Sequence, residues 1–237
     1  MSAKTPTVRI GIFGPDLPRP EERHGCGLWP AGLAASVVAA EAEPVRLPEG
    51  GVGGWEDFLE GLHGLVLAGN DASPRRSTAE AEALVLWCHD HKFPVLAVDH
   101  GLHILNVAHG GTLHLDLPRD LPEALQHRHP PERGLRHAIN VMPDTRLADL
   151  YGEGEVVVNS EHRRAVAKVA RGFRASAVAL DGVTECVEAE DEDWFALGVQ
   201  WQPASATASG LDIQLFRGLV EACRRQFEAV PAGCEVA

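Results

Sequence analysis

The chain has 237 residues, of which 45% are hydrophobic and 23% charged, and its formal net charge is −13 at pH 7. This length predicts one domain, or at most two, able to bury a core without disulfides or metals. The acidic balance disfavours nucleic acids and anionic lipid as partners, and no apolar run reaches the length of a membrane span. Because the first residues lack a signal-peptide pattern, we expect a cytoplasmic protein.

Short apolar runs alternate with helical segments through the first half of the chain. Runs of Val, Ile, Leu and Ala bounded by Gly or Pro predict buried strands, and Ala-rich segments predict helices. This alternation predicts a single α/β domain spanning 1–237, with 230–237 as a frayed tail. Its mostly parallel sheet has helices on both faces and some antiparallel additions. In the first half we expect strands at 8–13, 44–47, 64–68 and 94–98, and helices at 28–42, 78–89 and 101–108. The stretch 117–136 should be mostly loop. Strand-like segments follow between 155 and 201, and a last helix is expected at 210–227.

The most informative segment runs from Pro94 to Leu117. A buried strand ends at a single Asp99, and a helix starts directly after it. Such a strand–turn–helix is a nucleophile elbow, which lifts one side chain over the carboxyl edge of the sheet. Backbone N–H groups at the helix start can stabilise a negative charge there, and ligands of open α/β sheets bind at this edge.

Four blocks in matching order resemble the class I glutamine amidotransferase-like family, most nearly its γ-glutamyl-γ-aminobutyrate hydrolase group. The resemblance implies a flavodoxin-like three-layer α/β/α fold and a Cys–His–Glu triad that hydrolyses γ-glutamyl amides. It also implies that Gly69 and Asn70 belong to a Gly-rich loop that supplies part of the oxyanion hole. The blocks are GLVLAGNDASP (64–74), the elbow and its helix (94–117), VNSEHRRAV with ALDGVTECVEA (158–166 and 179–189), and GVQWQP (198–203).

The chain departs from the family at the three catalytic positions. The family elbow Gly-Ile-Cys-Arg-Gly is replaced by Ala-Val-Asp-His-Gly, so Asp99 stands at the nucleophile position. The family sequence Gln-Trp-His-Pro-Glu is replaced by Gln-Trp-Gln-Pro-Ala, which puts Gln202 at the base position and Ala204 at the position that orients the base. The loop at Gly69 also looks one residue shorter than the family form.

These replacements remove the chemistry of the triad. A carboxylate is a much weaker nucleophile than a thiolate, Gln202 cannot take up and return a proton, and Ala204 can orient nothing. We therefore predict that thioester hydrolysis is absent. Asp99 is then interpreted as a helix N-cap or a charge at the helix N-terminus, in preference to an aspartyl nucleophile or general base. Its carboxylate could also occupy the place of the transition-state oxyanion.

Histidines near the elbow offer an alternative chemistry. Asp99 with His100, His103 or His162 could form a new acid–base or metal site, because His100 and His103 lie three residues apart on one helix face. Ordinary buried histidines are the simpler interpretation, so we expect no metal and no cofactor. None of the five cysteines lies on the elbow, and Cys26, in a polar loop, is the only candidate for a displaced nucleophile.

The segment Asn159-Ser160-Glu161-His162 keeps the Asn-Ser-x-His pattern of the family. By resemblance it borders the substrate pocket, and His100, Asn159, Ser160 and His162 are pocket candidates. The alternative is that Asn159 and Ser160 hold a turn through bonds from side chain to backbone.

The sequence as a whole favours a catalytically degenerate γ-glutamyl hydrolase-like protein. Such a protein would bind a small amino-acid-like or γ-glutamyl ligand, and would act as a sensor, a regulator of a partner protein or a scaffold. The resemblance also suggests a homodimer. The alternative is an active hydrolase of γ-glutamyl or other C–N amide bonds, with altered chemistry centred on Asp99.

Overall fold

A computed structural model describes residues 7–14, 29–47, 55–69, 75–128 and 134–228. Cys26, Asn70 and the tail 230–237 lie outside these ranges. The described strands are β1 (Arg9–Phe13), β2 (Glu43–Arg46), β3 (Gly64–Gly69), β4 (Val95–Asp99), β5 (Thr112–His114), β6 (Arg136–Val141), β7 (Gly154–Asn159), β8 (Ala165–Lys168), β9 (Phe173–Ala179), β10 (Thr184–Ala189) and β11 (Ala196–Val199). The described helices are α1 (Trp29–Ala39), α2 (Trp55–Leu59), α3 (Arg75–Asp90), α4 (His100–Ala108), α5 (Leu117–Asp120), α6 (Arg146–Tyr151) and α7 (Ile213–Glu228).

The strands form one mixed sheet whose main path runs β2-β1-β3-β4-β11-β10-β9-β6-β7. The first five strands of this path are parallel, as the alternation of strands and helices predicts. From β10 onward each neighbour is antiparallel, and β5 and β8 pair beside β10. The site elements of the first half therefore meet at one edge, where the carboxyl ends of the parallel strands lie together.

Apolar side chains pack on both faces of the parallel strands. On β3, Val66 belongs to one buried cluster while Leu65 and Leu67 belong to the other. The first cluster takes residues from α1 and α7, and the second takes residues from α3 and α4. Strands covered on both faces read as continuous apolar runs, which explains why β3 and β4 stand out in the sequence. The predicted three-layer α/β/α fold is confirmed.

Several short elements lack a distinct sequence signal. The stretch 117–136, expected to be mostly loop, contains the four-residue helix α5. The strands β5, β6 and β8 and the helices α2 and α6 were not predicted. The start of α6 has a conventional cap, since Thr145 Oγ1 accepts a hydrogen bond from the Ala148 amide at 3.1 Å. One capped turn is too short for a recognisable helical period. Among the described helices, none combines the length and apolar character needed to cross a bilayer.

One close backbone approach sets the position of α4 against the sheet. A Cβ atom on Gly101, the second residue of α4, would overlap the backbone carbonyl of Leu67 on β3. Only glycine lets the helix start this close to the neighbouring strand. The contact fixes where the first turn of α4 lies relative to the carboxyl edge of the sheet.

We expect Gly101→Ala to lower the free energy of unfolding by about 1–3 kcal/mol, because the helix must shift away from the carbonyl of Leu67. Urea denaturation measures this loss. The matched control is Gly210→Ala, where a Cβ would meet no atom within 4 Å, and its effect should stay within about 0.5 kcal/mol. Equal stability of the two variants would contradict the close packing of α4 on β3.

Candidate functional site

The site is built around the junction of β4 and α4. Strand β4 ends at Asp99 and α4 begins at His100, with no intervening residue. Asp99 has φ 52° and ψ −111°, a backbone conformation that a residue with a Cβ rarely adopts. On the neighbouring strand, Gly69 pairs with Asp99 in the parallel register. The junction has the geometry of a nucleophile elbow, and such strained residues are typical of functional sites.

The Asp99 carboxylate is held by two side-chain amides. Asp99 is only 3% exposed. Gln200 Nε2 donates to its Oδ1 at 3.1 Å, and Gln202 Nε2 donates to its Oδ2 at 3.2 Å. The side chain of Asp99 makes no capping hydrogen bond to α4. Asp99 thus occupies the N-cap position of α4 without a capping side-chain hydrogen bond, and its carboxylate oxygens accept from the amides that follow β11.

Gln200 connects the elbow to a histidine of α4. Its Oε1 lies 2.8 Å from His103 Nε2, so His103 is the donor while the Gln200 amide donates onward to Asp99. Gln200 is 1% exposed and its backbone N–H donates to the carbonyl of Glu185 at 2.8 Å. In this arrangement the hydrogen-bonded path from His103 to Asp99 runs through an amide, which cannot transfer a proton as a general base does. Gln200 was not among the site residues predicted from the sequence, because the family also has Gln at this position and the prediction followed the positions that differ.

Asn159, at the end of β7, fixes the segment that carries Gln202. Its Oδ1 accepts from the Gln202 backbone N–H at 2.9 Å, and its Nδ2 donates to the Gln202 carbonyl at 3.0 Å. Ser160 Oγ donates to the backbone carbonyl of His127 at 2.7 Å. These contacts match the structural alternative for Asn159 and Ser160, holding loops in place. Ala204, also in this segment, is partly buried against the core and has no polar side-chain atom.

His162 belongs to a second buried group, which we call the His/Glu cluster: His127, His137, His162 and Glu185. Glu185 Oε1 lies 3.2 Å from His127 Nδ1, 3.3 Å from His162 Nε2 and 3.5 Å from His137 Nε2. Of these residues the sequence interpretation selected only His162, and it paired His162 with Asp99. His100 packs edge-to-face on His103, with ring centroids 5.8 Å apart, and neither joins the cluster.

The cluster is electrostatically linked to the elbow. Burial by itself raises the pKa of Glu185, but the nearby His162, His127 and His137 outweigh it and lower the pKa to about 2. Burial lowers the pKa of His162, but the carboxylate of Glu185, helped by Asp99, outweighs it and the pKa lies above its usual value. Positive charge at His162 is thus favoured by both carboxylates.

A cavity of about 410 Å³ opens beside the cluster. This volume falls in the range of small-molecule sites. Two cluster histidines, His127 and His162, form part of its wall, and Asp99 is not part of its lining. Leu117, Leu121, Arg128 and Arg163 also line it.

Known proteins resemble this chain in sequence or in fold. The family model described as Peptidase C26 matches residues 21–204. The γ-glutamyl-γ-aminobutyrate hydrolase PuuD of Escherichia coli K12 is 31% identical, covering 81% of this chain and 81% of that protein. Protein NtpR of Enterococcus hirae is 30% identical, covering 82% of this chain and 90% of its own. The crystal structure of a GMP synthase-like protein from Thermoplasma acidophilum aligns over 95% of this chain and 98% of its own with TM-score 0.69; at 16% identity it supports the fold alone.

The contact between the Gln200 amide and the Asp99 carboxylate can be tested by replacing the amide with a second carboxylate. We expect Gln200→Glu to lower the free energy of unfolding by roughly 2 kcal/mol or more at pH 8, because two buried carboxylates then face each other. Their repulsion raises the folded-state pKa of one of them above its unfolded value near 4, so the folded state retains a proton there. The loss of stability should therefore shrink as the pH falls from 8 to 5.

Urea denaturation at both pH values checks this expectation. The control is Gln226→Glu on the exposed side of α7, which should change stability by no more than about 0.5 kcal/mol. If Gln200→Glu is as stable as the control at pH 8, Gln200 does not face the Asp99 carboxylate.

Proposed function

This chain belongs to the Peptidase C26 family of class I glutamine amidotransferase-like proteins, and we propose that it binds a small γ-glutamyl or amino-acid-like ligand without hydrolysing it. The observation that carries this proposal is the pair of amides on Asp99. Gln200 and Gln202 each donate to one carboxylate oxygen, at 3.1 and 3.2 Å. Gln202, whose amide nitrogen can only donate, stands where the family mechanism requires a base.

The chemistry of the family mechanism explains why this arrangement opposes turnover. A thiol hydrolase needs a thiolate, a base that also returns the proton to the leaving amine, and donors aimed at the developing oxyanion. Here the side chain at the elbow is an anion before any reaction begins. Its charge repels an oxyanion forming beside it, and the amide of Gln202 has no proton-accepting nitrogen.

The same charge favours a particular class of ligand. The relative PuuD is named for γ-glutamyl-γ-aminobutyrate. Glutamine and γ-glutamyl compounds carry an α-ammonium group, which a buried carboxylate attracts. We propose that an ammonium group of the ligand lies near Asp99, in the place where the family holds a reacting carbonyl. Since Asp99 is only 3% exposed, ligand binding must open the structure above its carboxylate. Binding without turnover is the property of a sensor or of a regulator of a partner protein.

One observation favours a second function, hydrolysis with altered chemistry. Asp99 keeps a φ of 52°, which costs energy for a residue with a Cβ and is a conformation typical of nucleophiles on an elbow. In this alternative Asp99 takes a proton from a water molecule that attacks the amide carbonyl, and the C–N bond breaks as that proton passes to the leaving amine. If Asp99 attacks directly, an anhydride forms, the amine leaves with a proton from water, and a second water hydrolyses the anhydride.

Purified protein is expected to release no ammonia or glutamate from glutamine or γ-glutamyl-γ-aminobutyrate above the buffer rate. A coupled glutamate dehydrogenase assay measures the ammonia, and a thermal shift with the same compounds measures binding. Asp99→Asn should abolish the thermal shift, because it removes the charge that attracts the ammonium group, while release stays at the buffer rate. Turnover by the wild type that disappears in Asp99→Asn would instead establish the alternative, hydrolysis through Asp99.

A triple substitution tests whether the chain lacks only the three catalytic side chains of the family and keeps the backbone that would position them. We expect Asp99→Cys with Gln202→His and Ala204→Glu to hydrolyse glutamine at least roughly a hundredfold faster than Asp99→Cys alone, the contribution of a positioned general base. The strained elbow and the clamp of Asn159 on Gln202 would hold the new residues in place. Asp99→Cys alone is the matched control and should stay inactive, because its thiol has no base beside it. Activity of this single variant equal to that of the triple one would contradict the assigned role of position 202.

A further inference from the structure

The His/Glu cluster brings three imidazoles and a carboxylate together in the buried interior of the protein. The side chains are 1% exposed for His127 and His162, 6% for His137 and 0% for Glu185. They come from four separate places: the segment after α5, strand β6, the segment between β7 and β8, and strand β10. Burial of this many ionisable groups is costly unless each finds a partner.

Each histidine uses its outward nitrogen as a donor. His127 Nε2 lies 2.9 Å from Asp181 Oδ2, and His162 Nδ1 lies 2.9 Å from the carbonyl of Arg164. His137 Nδ1 lies 3.2 Å from the carbonyl of the next residue. Since these oxygens can only accept, the outward nitrogens carry the protons. In the neutral rings, the inward nitrogens then present lone pairs to the carboxylate of Glu185.

The inward atoms do not form hydrogen bonds with one another. His127 Nδ1, His137 Nε2, His162 Nε2 and both oxygens of Glu185 are buried, and the described residues supply no hydrogen-bond partner for them. The three nitrogens lie 3.2, 3.3 and 3.5 Å from Glu185 Oε1, beyond the roughly 2.7–2.9 Å of a charge-assisted hydrogen bond. Lone pairs and an anion facing each other at this distance repel, so the group needs positive charge. A proton on His162 serves one of the three nitrogens, whereas a metal ion between them serves all three at once.

The three distances from Glu185 Oε1 match edges of a tetrahedral metal site. With ligand bonds of about 2.0–2.1 Å to Zn²⁺, two ligand atoms lie about 3.3–3.4 Å apart. The three distances to Glu185 Oε1 fall around this value, and the four ligand atoms all lie within 4.8 Å of one another. Closing them on one ion needs side-chain movements on the order of 1 Å.

We propose that His127, His137, His162 and Glu185 bind one divalent metal ion, with Zn²⁺ the ion that best fits three imidazoles and a carboxylate. The charges of Glu185 and Asp181 balance the two positive charges of the ion. The contact from His127 to Asp181 is the carboxylate–histidine pair that orients ligands in zinc sites. Four protein ligands make a closed site, whose role is to tie the segment after α5 to β6 and β10.

Two features of the fold support the site. Glu185 is an extra residue at a β-bulge, because Thr184 pairs with Val178 while Cys186 pairs with the preceding Ala177. A bulge re-aims a side chain and is common beside functional sites. The cavity that reaches His127 and His162 gives an ion a route to the cluster.

The test uses the full chain and Zn²⁺ or Co²⁺ alone as the probe. After treatment with a chelator, the protein is expected to take up one equivalent of Zn²⁺ by elemental analysis and to gain thermal stability. Co²⁺ should give the intense visible absorption of tetrahedral coordination. Failure of the wild-type protein to bind one equivalent, or a Co²⁺ spectrum typical of octahedral coordination by water, would overturn the proposal.

Variants locate the ion. Glu185→Gln and His137→Gln should each lose at least about tenfold in Zn²⁺ affinity, and Asp181→Asn should lose about 10- to 100-fold because it disturbs the orientation of His127. His89→Gln removes a histidine outside the cluster whose side chain is 42% exposed, and it should bind as the wild type does. If affinity falls in His89→Gln but not in the cluster variants, the ion is bound at the surface and the proposal is wrong. The melting curve of each chelated variant shows that it folds.

Discussion

The structure depends on the constraint that β4 must turn directly into α4 at Asp99. Strand β4 lies between β3 and β11, so its end is enclosed by parallel neighbours on both sides. Gly101 lets the helix start against the carbonyl of Leu67, and Asp99 takes the backbone strain of φ 52°. Every other group of the site is brought to this fixed point by a neighbouring element: Gly69 by β3 and the two glutamines by the end of β11.

Two buried carboxylates on β10, those of Glu188 and Glu185, differ in how their charges are compensated. Glu188 is fully buried, and Arg174 donates to its Oε1 at 3.0 and 2.7 Å. The backbone amides of Arg146 and Leu147, at the start of α6, also donate to it. Glu185 is equally buried, yet three histidine nitrogens face it without forming hydrogen bonds. The first carboxylate anchors α6 through ordinary donors, whereas the second is arranged as a ligand.

Much of the fold could be predicted from local patterns. The apolar runs of β3 and β4 and the immediate helix after Asp99 are contiguous, so periodicity and turn chemistry identify them. The His/Glu cluster could not be found in this way. Its residues are far apart in sequence and meet only through the antiparallel half of the sheet and a bulge at Glu185, neither of which leaves a fixed spacing. The two amides on Asp99 were also not predicted, because they come from the segment after β11, about a hundred residues away in sequence.

The elbow and the cluster are neighbours through β10 and β11, and this explains how a charged elbow is tolerated. The backbone of Gln200 donates to the carbonyl of Glu185, so the residue that holds Asp99 is tied to the strand that carries the cluster. Asp99 also favours positive charge on His162. A carboxylate buried to 3% exposure needs both donors and a nearby cation to stay ionised. The two amides supply the donors, and the cluster supplies the positive charge, whether on an imidazole or on a bound ion.

A thiol at the elbow needs a base beside it, whereas a carboxylate needs hydrogen-bond donors and nearby positive charge. The amides after β11 and the histidines around Glu185 are consistent with a site arranged to keep an anion at position 99.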